Sequence, residues 1–180
     1  YNERRKQLLE VRPNDGHLGL AELEADFNVT VVTQNIDNLH ERAGSRRIIH
    51  LHGELTKVCS SRDPYNPHYI KELKPDEYEV KFGDKAGDGT QLRPFIVWFG
   101  EPVPEIETAV NYVEKADIFV IIGTSMNVYP AAGLLNYVPR EAEVYLIDPK
   151  PVDVHSMRRI HVIQKGASEG VRELRSLLQS

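Results

Sequence analysis

Three patterns of apolar and polar positions divide the chain. The first is helical. Over residues 17–26 and just beyond, Leu20, Leu23 and Phe27 fall on one side, and Ile106, Ala109, Val110 and Val113 recur at i, i+3, i+4 and i+7, which predicts amphipathic helices. Pro104 opens the second of these at its first turn. Residues 1–11 read as a further helix closed by Pro13, Pro130 begins a short one, and Ser168 is the expected N-cap of a closing helix that carries Val171, Leu174 and Leu178. The second pattern is the short apolar run. Residues 29–33, 47–51, 118–122, 144–148 and 161–164 have the look of strands, and "IFVII" at 118–122 is apolar throughout, as a strand covered on both faces would be. The third pattern has no period: residues 60–92 turn polar and rich in Pro, Gly, Asp and Lys.

Strands alternating with helices predict a Rossmann-like α/β fold, a parallel sheet with helices on both faces. In such sheets ligands bind beyond the carboxyl ends of the strands. The run "VTVVTQNIDNLH" enters as a β-branched strand and leaves as amides and a carboxylate. Residues 33–37, 123–125 and Asp148 all lie at such ends. Each alone reads as turn or cap chemistry; together they point polar groups toward one edge.

Composition bounds the rest. A length of 180 residues suits one domain with a small subdomain. A formal net charge of -5 argues against nucleic acid or an anionic membrane as partner. No apolar run reaches the length of a membrane span, and residues 1–10 carry no signal-peptide core. The single cysteine, Cys59, has no partner for an internal disulfide, so a reducing, cytoplasmic location is the expectation.

Four motifs in register, "TQNIDNLHERAG", "IIHLHGEL", "RPFIVWFGEPVP" and "IIGTSMNVYPAAGL", resemble the sirtuins, the NAD-dependent protein-lysine deacylases. The resemblance covers most of the chain outside residues 60–92. It implies NAD as cofactor, acyl-lysine proteins or peptides as substrates, and release of nicotinamide, O-acyl-ADP-ribose and free lysine. His52 matches the catalytic histidine, a side chain of near-neutral pKa suited to taking a ribose proton. In an extended segment His50 would face the same way, and the motif match alone selects His52. Gln34, Asn35, Ile36 and Asp37 match the pocket for nicotinamide and its ribose, with Asn35 and Asp37 beside the chemistry. Gly123, Thr124 and Ser125 match the dinucleotide loop. Asp148 stands where the family usually has Asn against the adenosine half, and Ala167 lies in a segment resembling the loop over the adenine. Val97, Phe99, Gly100 and Glu101, with Asn127 and Val128, match the edges between which a substrate peptide lies. Val97 and Phe99 are candidate walls of the lysine tunnel; ordinary core is the competing reading for Trp98 and Phe99.

Two features depart from the family. Its structural zinc needs four cysteines in two C-x-x-C pairs, and residues 60–92 supply none, with only Cys59 adjacent, so no metal is expected. Residues 60–92 then form a zinc-free insertion held by Tyr65, Tyr69, Tyr78 and Phe82, with a mobile loop at 81–90, while residues 1–59 and 93–180 form the NAD-binding domain. Nor does anything resemble the family's opening strand and Gly-rich loop, so the chain is expected to be a fragment of a longer enzyme; a non-catalytic binding module is the alternative. Finally, Tyr1 and Arg4 resemble the Tyr-x-x-Arg pair of the branch that removes succinyl and malonyl groups, a tyrosine hydroxyl and a guanidinium able to hold a carboxylate. Without that resemblance "ERRK" reads as a solvated basic face.

Overall fold

The computed structural model describes residues 1–123, 131–151 and 158–180. In chain order the elements are α1 (Asn2–Glu10), α2 (Asp15–Glu22) running into a 3-10 turn (Leu23–Ala25), β1 (Val31–Thr33), α3 (Leu39–Ala43), β2 (Ile48–His50), β3 (Gly53–Ser60), β4 (Lys71–Glu72), β5 (Leu92–Ile96), α4 (Ile106–Val113), β6 (Ile118–Ile122), a 3-10 segment (Ala131–Tyr137), β7 (Glu143–Ile147), β8 (Ile160–Ile163) and α5 (Ala167–Leu178). β1 and β2 pair with each other. Two compact units result. The first comprises Tyr1–Arg12, Thr33–Leu39 and His50–Val103; the second comprises Pro13–Val32, His40–Ile49 and Pro104–Ser180.

The second unit carries the parallel sheet, with β7 between β6 and β8. Val144, Leu146 and Ile147 on β7 are all fully buried, so both faces of the strand are covered, which is why "EVYLI" shows no alternation. Val171 and Leu174 of α5 pack on Tyr145, Ile147 and Ile163. Gly170 makes this approach possible: a Cβ there would come within 2.2 Å of Ile147 Cγ2. α2 also lies close to α5, since a Cβ on Gly19 would come within 2.7 Å of Val171 Cγ1. Asn14 and His17 cap α2 reciprocally, each side chain accepting from the other's backbone N–H at 3.0 Å. The expected N-cap of α5 moves. Gly166 takes that position, its carbonyl accepting from Gly170 N at 2.8 Å, and Ser168 lies inside the first turn.

The first unit holds an antiparallel sheet, an element absent from the sequence reading. β3 runs antiparallel to both β4 and β5. Its alternation is hidden in the sequence because the register to β5 shifts between Glu54 and Val58, a bulge that re-aims the side chains between them. A small apolar cluster of Leu8, Leu55 and Ile96, lined by Ile36 and Leu39, sits beneath. Polar hubs do the rest. Arg5, expected on a solvated face, is instead buried; its Nε donates to Leu55 O at 2.8 Å and Nη1 to Asn2 Oδ1 at 2.9 Å and Tyr78 O at 3.4 Å. Burial pushes its pKa down. Asn2 reaches the same segment, giving and taking hydrogen bonds with the Val80 backbone at 3.0 and 2.9 Å.

Residues 60–92 are organised the same way, and the aromatic residues expected to hold them do not form a core: Tyr65 is 39% exposed and Phe82 fully exposed. The buried Ser60 hydroxyl is the hub. It donates to Asp88 Oδ2, lies 3.0 Å from Thr90 Oγ1, and accepts from Arg62 N and Asp63 N at 3.1 and 3.0 Å. Two hydroxyls hold the Asp88 carboxyl down to about 2, that of Ser60 contributing most and that of Thr90 next. The loop at 81–90 is likewise folded on itself. Gln91 accepts from Gly83 N at 2.7 Å and donates to Lys81 O at 3.1 Å, Asp84 accepts from Lys81 N at 2.8 Å, and Ala86 N donates to Thr90 O at 2.8 Å. Among the described residues no helix is long and apolar enough to cross a membrane.

Candidate functional site

In the first unit, β1 hands over to the polar run at Thr33, and four bonds fix the backbone from Asn35 to Leu39. The buried Thr33 hydroxyl accepts from Asn35 N at 3.0 Å. His50 Nδ1 lies 3.1 Å from Asn35 O, so that nitrogen carries the proton. Leu55 N donates to Ile36 O at 2.8 Å, tying the run to β3. Asp37 Oδ1 accepts from Leu39 N at 3.0 Å, turning the chain into α3. The backbone is thereby committed and the side chains are left over. Asn35 is exposed, and Gln34 Nε2 and Asn38 Oδ1 are buried without a hydrogen-bond partner among the described residues. One orphaned donor and one orphaned acceptor beside a carboxylate suit a ligand that carries both hydroxyls and an amide.

The two histidines separate cleanly, though not for the reason the sequence suggested. β2 ends at His50, and Leu51 and His52 form the turn into β3, so strand alternation does not carry from 50 to 52. His50 is buried and holds the Asn35 carbonyl, with Nε2 3.9 Å from Glu54 Oε1. His52 is half-buried, and among the described residues no side-chain hydrogen bond ties down its imidazole. Its carbonyl accepts from Val97 N at 2.9 Å, extending the β3–β5 pairing by one residue. The turn depends on Gly53, whose φ of 90° lies in the left-handed region. A Cβ there would stand 2.1 Å from Phe95 O.

Val97 leads into a tight turn in which Glu101 N donates to Trp98 O at 2.9 Å and Gly100 takes a φ of 86°. Neither ring belongs to the core: Trp98 is 43% exposed and Phe99 fully exposed. Glu101 is tied to its own loop. Its Oε1 accepts from Trp98 N at 2.6 Å and from Arg93 Nη2 at 2.9 Å, and Oε2 accepts from Arg93 Nη1 at 3.1 Å. At the start of the chain, Tyr1 and Arg4 lie side by side at the head of α1, the guanidinium carbon 5.6 Å from the ring centre, and both are exposed.

In the second unit, Gly123 and Asp148 close adjacent parallel strands. Gly123 N donates to Ile147 O at 3.1 Å and Asp148 N to Ile163 O at 3.2 Å, so the ladder runs to the strand ends. Gly123 has a φ of 60°, and Asp148 Oδ1 accepts from Lys150 N at 2.8 Å, holding a turn beyond β7. Ala167 is the exposed first residue of α5. Thr124, Ser125, Asn127 and Val128 lie outside the described residues.

Three residues of this region escape a reading of the sequence: Asn38, Arg5 and Arg93. None sits in a periodic pattern, and an arginine carries no sign of burial. Only Asn38 offers a cue, since it extends the polar run of residues 34–37 by one more amide.

A family model described as "Sir2 family" matches residues 1–130. Over 178 residues the chain is 84% identical to a protein of Bacteroides thetaiotaomicron named NAD-dependent protein deacylase, covering 99% of this chain and 76% of that one. A solved ADP-ribose complex of a mutant Sir2 homologue superposes with a TM-score of 0.82 at 33% identity, covering 99% of this chain and 73% of that one. A complex described as Sir2, p53 peptide and NAD+ does so with a TM-score of 0.77 at 27% identity, covering 96% and 73%.

Proposed function

The chain belongs to the Sir2 family, and on that premise we infer that it is an NAD-dependent protein-lysine deacylase in which His52 is the general base. The observation that carries the assignment of roles is the hydrogen bond from Val97 N to His52 O at 2.9 Å. It sets the histidine beside the segment on which a substrate peptide would lie.

NAD supplies an electrophilic ribose carbon and a nicotinamide leaving group when bound. The chain's residues divide the remaining work. Gln34 Nε2 and Asn38 Oδ1 offer the donor and acceptor left without partners in the fold, and Asn35, Ile36 and Asp37 complete the nicotinamide pocket. Gly123, Thr124, Ser125, Asp148 and Ala167 hold the dinucleotide. His52 takes a proton from a ribose hydroxyl; among the described residues no side-chain hydrogen bond holds its imidazole away from that task. Val97, Phe99, Gly100 and Glu101, with Asn127 and Val128, form the peptide edges. An extended peptide there obtains main-chain bonds that do not depend on its sequence. Residues 60–92 act as an insertion held by the Ser60 hub, without metal, and the enzyme works in the cytoplasm.

Tyr1 and Arg4 set the acyl preference. Arg4 binds the carboxylate of a succinyl- or malonyl-lysine with help from the Tyr1 hydroxyl, whereas an acetyl group leaves the guanidinium unpaired. One peptide panel tests both claims, with acetyl-, malonyl- and succinyl-lysine assayed against three proteins: the unmodified enzyme, His52→Ala and Arg4→Met. His52→Ala is expected to lose about a hundred- to ten-thousandfold on every substrate while remaining folded. Arg4→Met is expected to lose about ten- to a hundredfold on acidic acyl groups alone, the worth of one charged hydrogen bond. Near-normal turnover in folded His52→Ala removes the general base from this position. Equal losses on acetyl and succinyl in Arg4→Met remove the acyl preference.

A further inference from the structure

The Arg93 guanidinium is the meeting point of the 96–101 turn. Nη2 donates to Ile96 O at 2.9 Å, where β5 ends. The two outer nitrogens fork onto Glu101 at 2.9 and 3.1 Å. The guanidinium carbon stands 3.8 Å from the Trp98 ring centre, over its face. Glu101 uses the same oxygen to fix Trp98 N. The Arg93 side chain is only 12% exposed, while Phe99 on the turn it anchors is fully exposed. Each ion reinforces the other: the Glu101 hydrogen bond pushes Arg93 up, and the Arg93 hydrogen bond pushes Glu101 down.

We propose that Arg93 is a positioning residue for the substrate peptide, clamping the Val97–Gly100 backbone in its binding shape through Ile96 O, the Trp98 ring and Glu101. Glu101 then serves the peptide by holding Trp98 N and not by presenting its carboxylate. The inference rests on the deacylase reading. Its chemistry requires arginine specifically. A planar fork makes two parallel bonds to one carboxylate while its face stacks on an indole, and lysine's point charge does neither. A preordered loop lowers the ordering cost of peptide binding, so its loss falls on peptide affinity.

The experiment compares Arg93→Lys and Glu101→Gln with the unmodified enzyme. Trp98 is the only tryptophan, so its emission reports the clamp directly. In both variants the emission shifts to the red, peptide KM rises about tenfold, and NAD KM stays within about twofold. The double variant shows less than the sum of the two, as partners in one network do. A merely structural arginine would lower both affinities together with the melting temperature. Unchanged peptide KM and unchanged Trp98 emission in folded Arg93→Lys overturn the proposal, and so does an equal rise in both KM values. If either variant fails to fold, the other carries the same two readouts. Absence of deacylation in the unmodified enzyme counts against the deacylase reading, and the Trp98 emission of the variants still decides whether the clamp exists.

Discussion

The two units are held by different means. The second is assembled around apolar β7, with Val144, Leu146, Val171 and Leu174 at most 1% exposed. In the first, buried Leu51 and Val58 and the cluster of Leu8, Leu55 and Ile96 supply apolar contact, and the longer segments are tied by single polar groups: Arg5 for α1 and residues 55 and 78, Ser60 for residues 62, 63, 88 and 90, Arg93 for residues 96 to 101. Apolar contact is broad and tolerant, because many small attractions share the load. A polar hub concentrates it, because a buried group deprived of its partner keeps the full cost of desolvation. The first unit should therefore be sensitive to single substitutions at a few positions, the second to changes of volume.

The sharpest contrast is between two glycines. Gly53→Ala drives a Cβ into the Phe95 carbonyl and requires a left-handed residue. Backbone cannot give way, so a loss of about 3 kcal/mol or more in urea unfolding is expected. Gly170→Ala meets the Ile147 side chain at 2.2 Å, in helical backbone. That is overpacking, costing about 1–3 kcal/mol, and the same substitution should cost less in an Ile147→Ala background, which lacks Cγ2. Equal losses in the two variants, or an undiminished cost in that background, would break the contrast.

Arg5→Met comes next. It preserves bulk and removes the bonds to Leu55 O and Tyr78 O. About 1.5–3 kcal/mol is expected for bonds to a charged group. Amide exchange should accelerate at Leu55 and Val80 and not along β7. Uniform acceleration would show the two units to be one cooperative body.

The smallest effect concerns acid. Asp88 has its pKa lowered to about 2 from 3.8 by the Ser60 and Thr90 hydroxyls. A carboxyl with a depressed folded pKa contributes stability above its unfolded pKa and loses it as pH falls toward the folded one. The first unit should accordingly soften between about pH 4 and pH 2, and Asp88→Asn should flatten that slope. An unaltered acid profile in Asp88→Asn would remove the carboxyl from the hub.

These differences also explain what could be read from the sequence. β7 announces itself as an apolar run and is buried, and the stripe of α4 matches the observed helix, because burial there is written in residue type; β6 is as apolar, yet all five of its residues are only partly buried, short of the cover on both faces that the run predicts. β3 does not: "GELTKVCS" mixes its two faces at a bulge, and Ser60 is completely buried while looking like a loop residue. Trp98 and Phe99 invite a core assignment on size alone, yet both are displayed on a turn that Arg93 shapes. At the site, the motif match alone selects His52; the fold adds that His50 holds the Asn35 carbonyl while, among the described residues, no side-chain hydrogen bond engages His52. Orphaned atoms such as Gln34 Nε2 have no sequence signature, since being unpartnered is a property of the folded surroundings.

The close seating of α2 on α5 has a consequence for biosynthesis. Gly19 meets Val171, and Glu22 pairs with Arg175 at a separation of 153 residues. A ribosome adding ~5–20 residues per second needs roughly 8–30 s to cover that distance. Throughout that interval the face of α2 that Val171 will cover lacks that cover, and β7, once made near its end, waits for the helix that seals it. Contacts so far apart in the chain also close slowly once both partners exist. The second unit, the more robust when complete, is therefore the one most in need of chaperone shelter while it is being made.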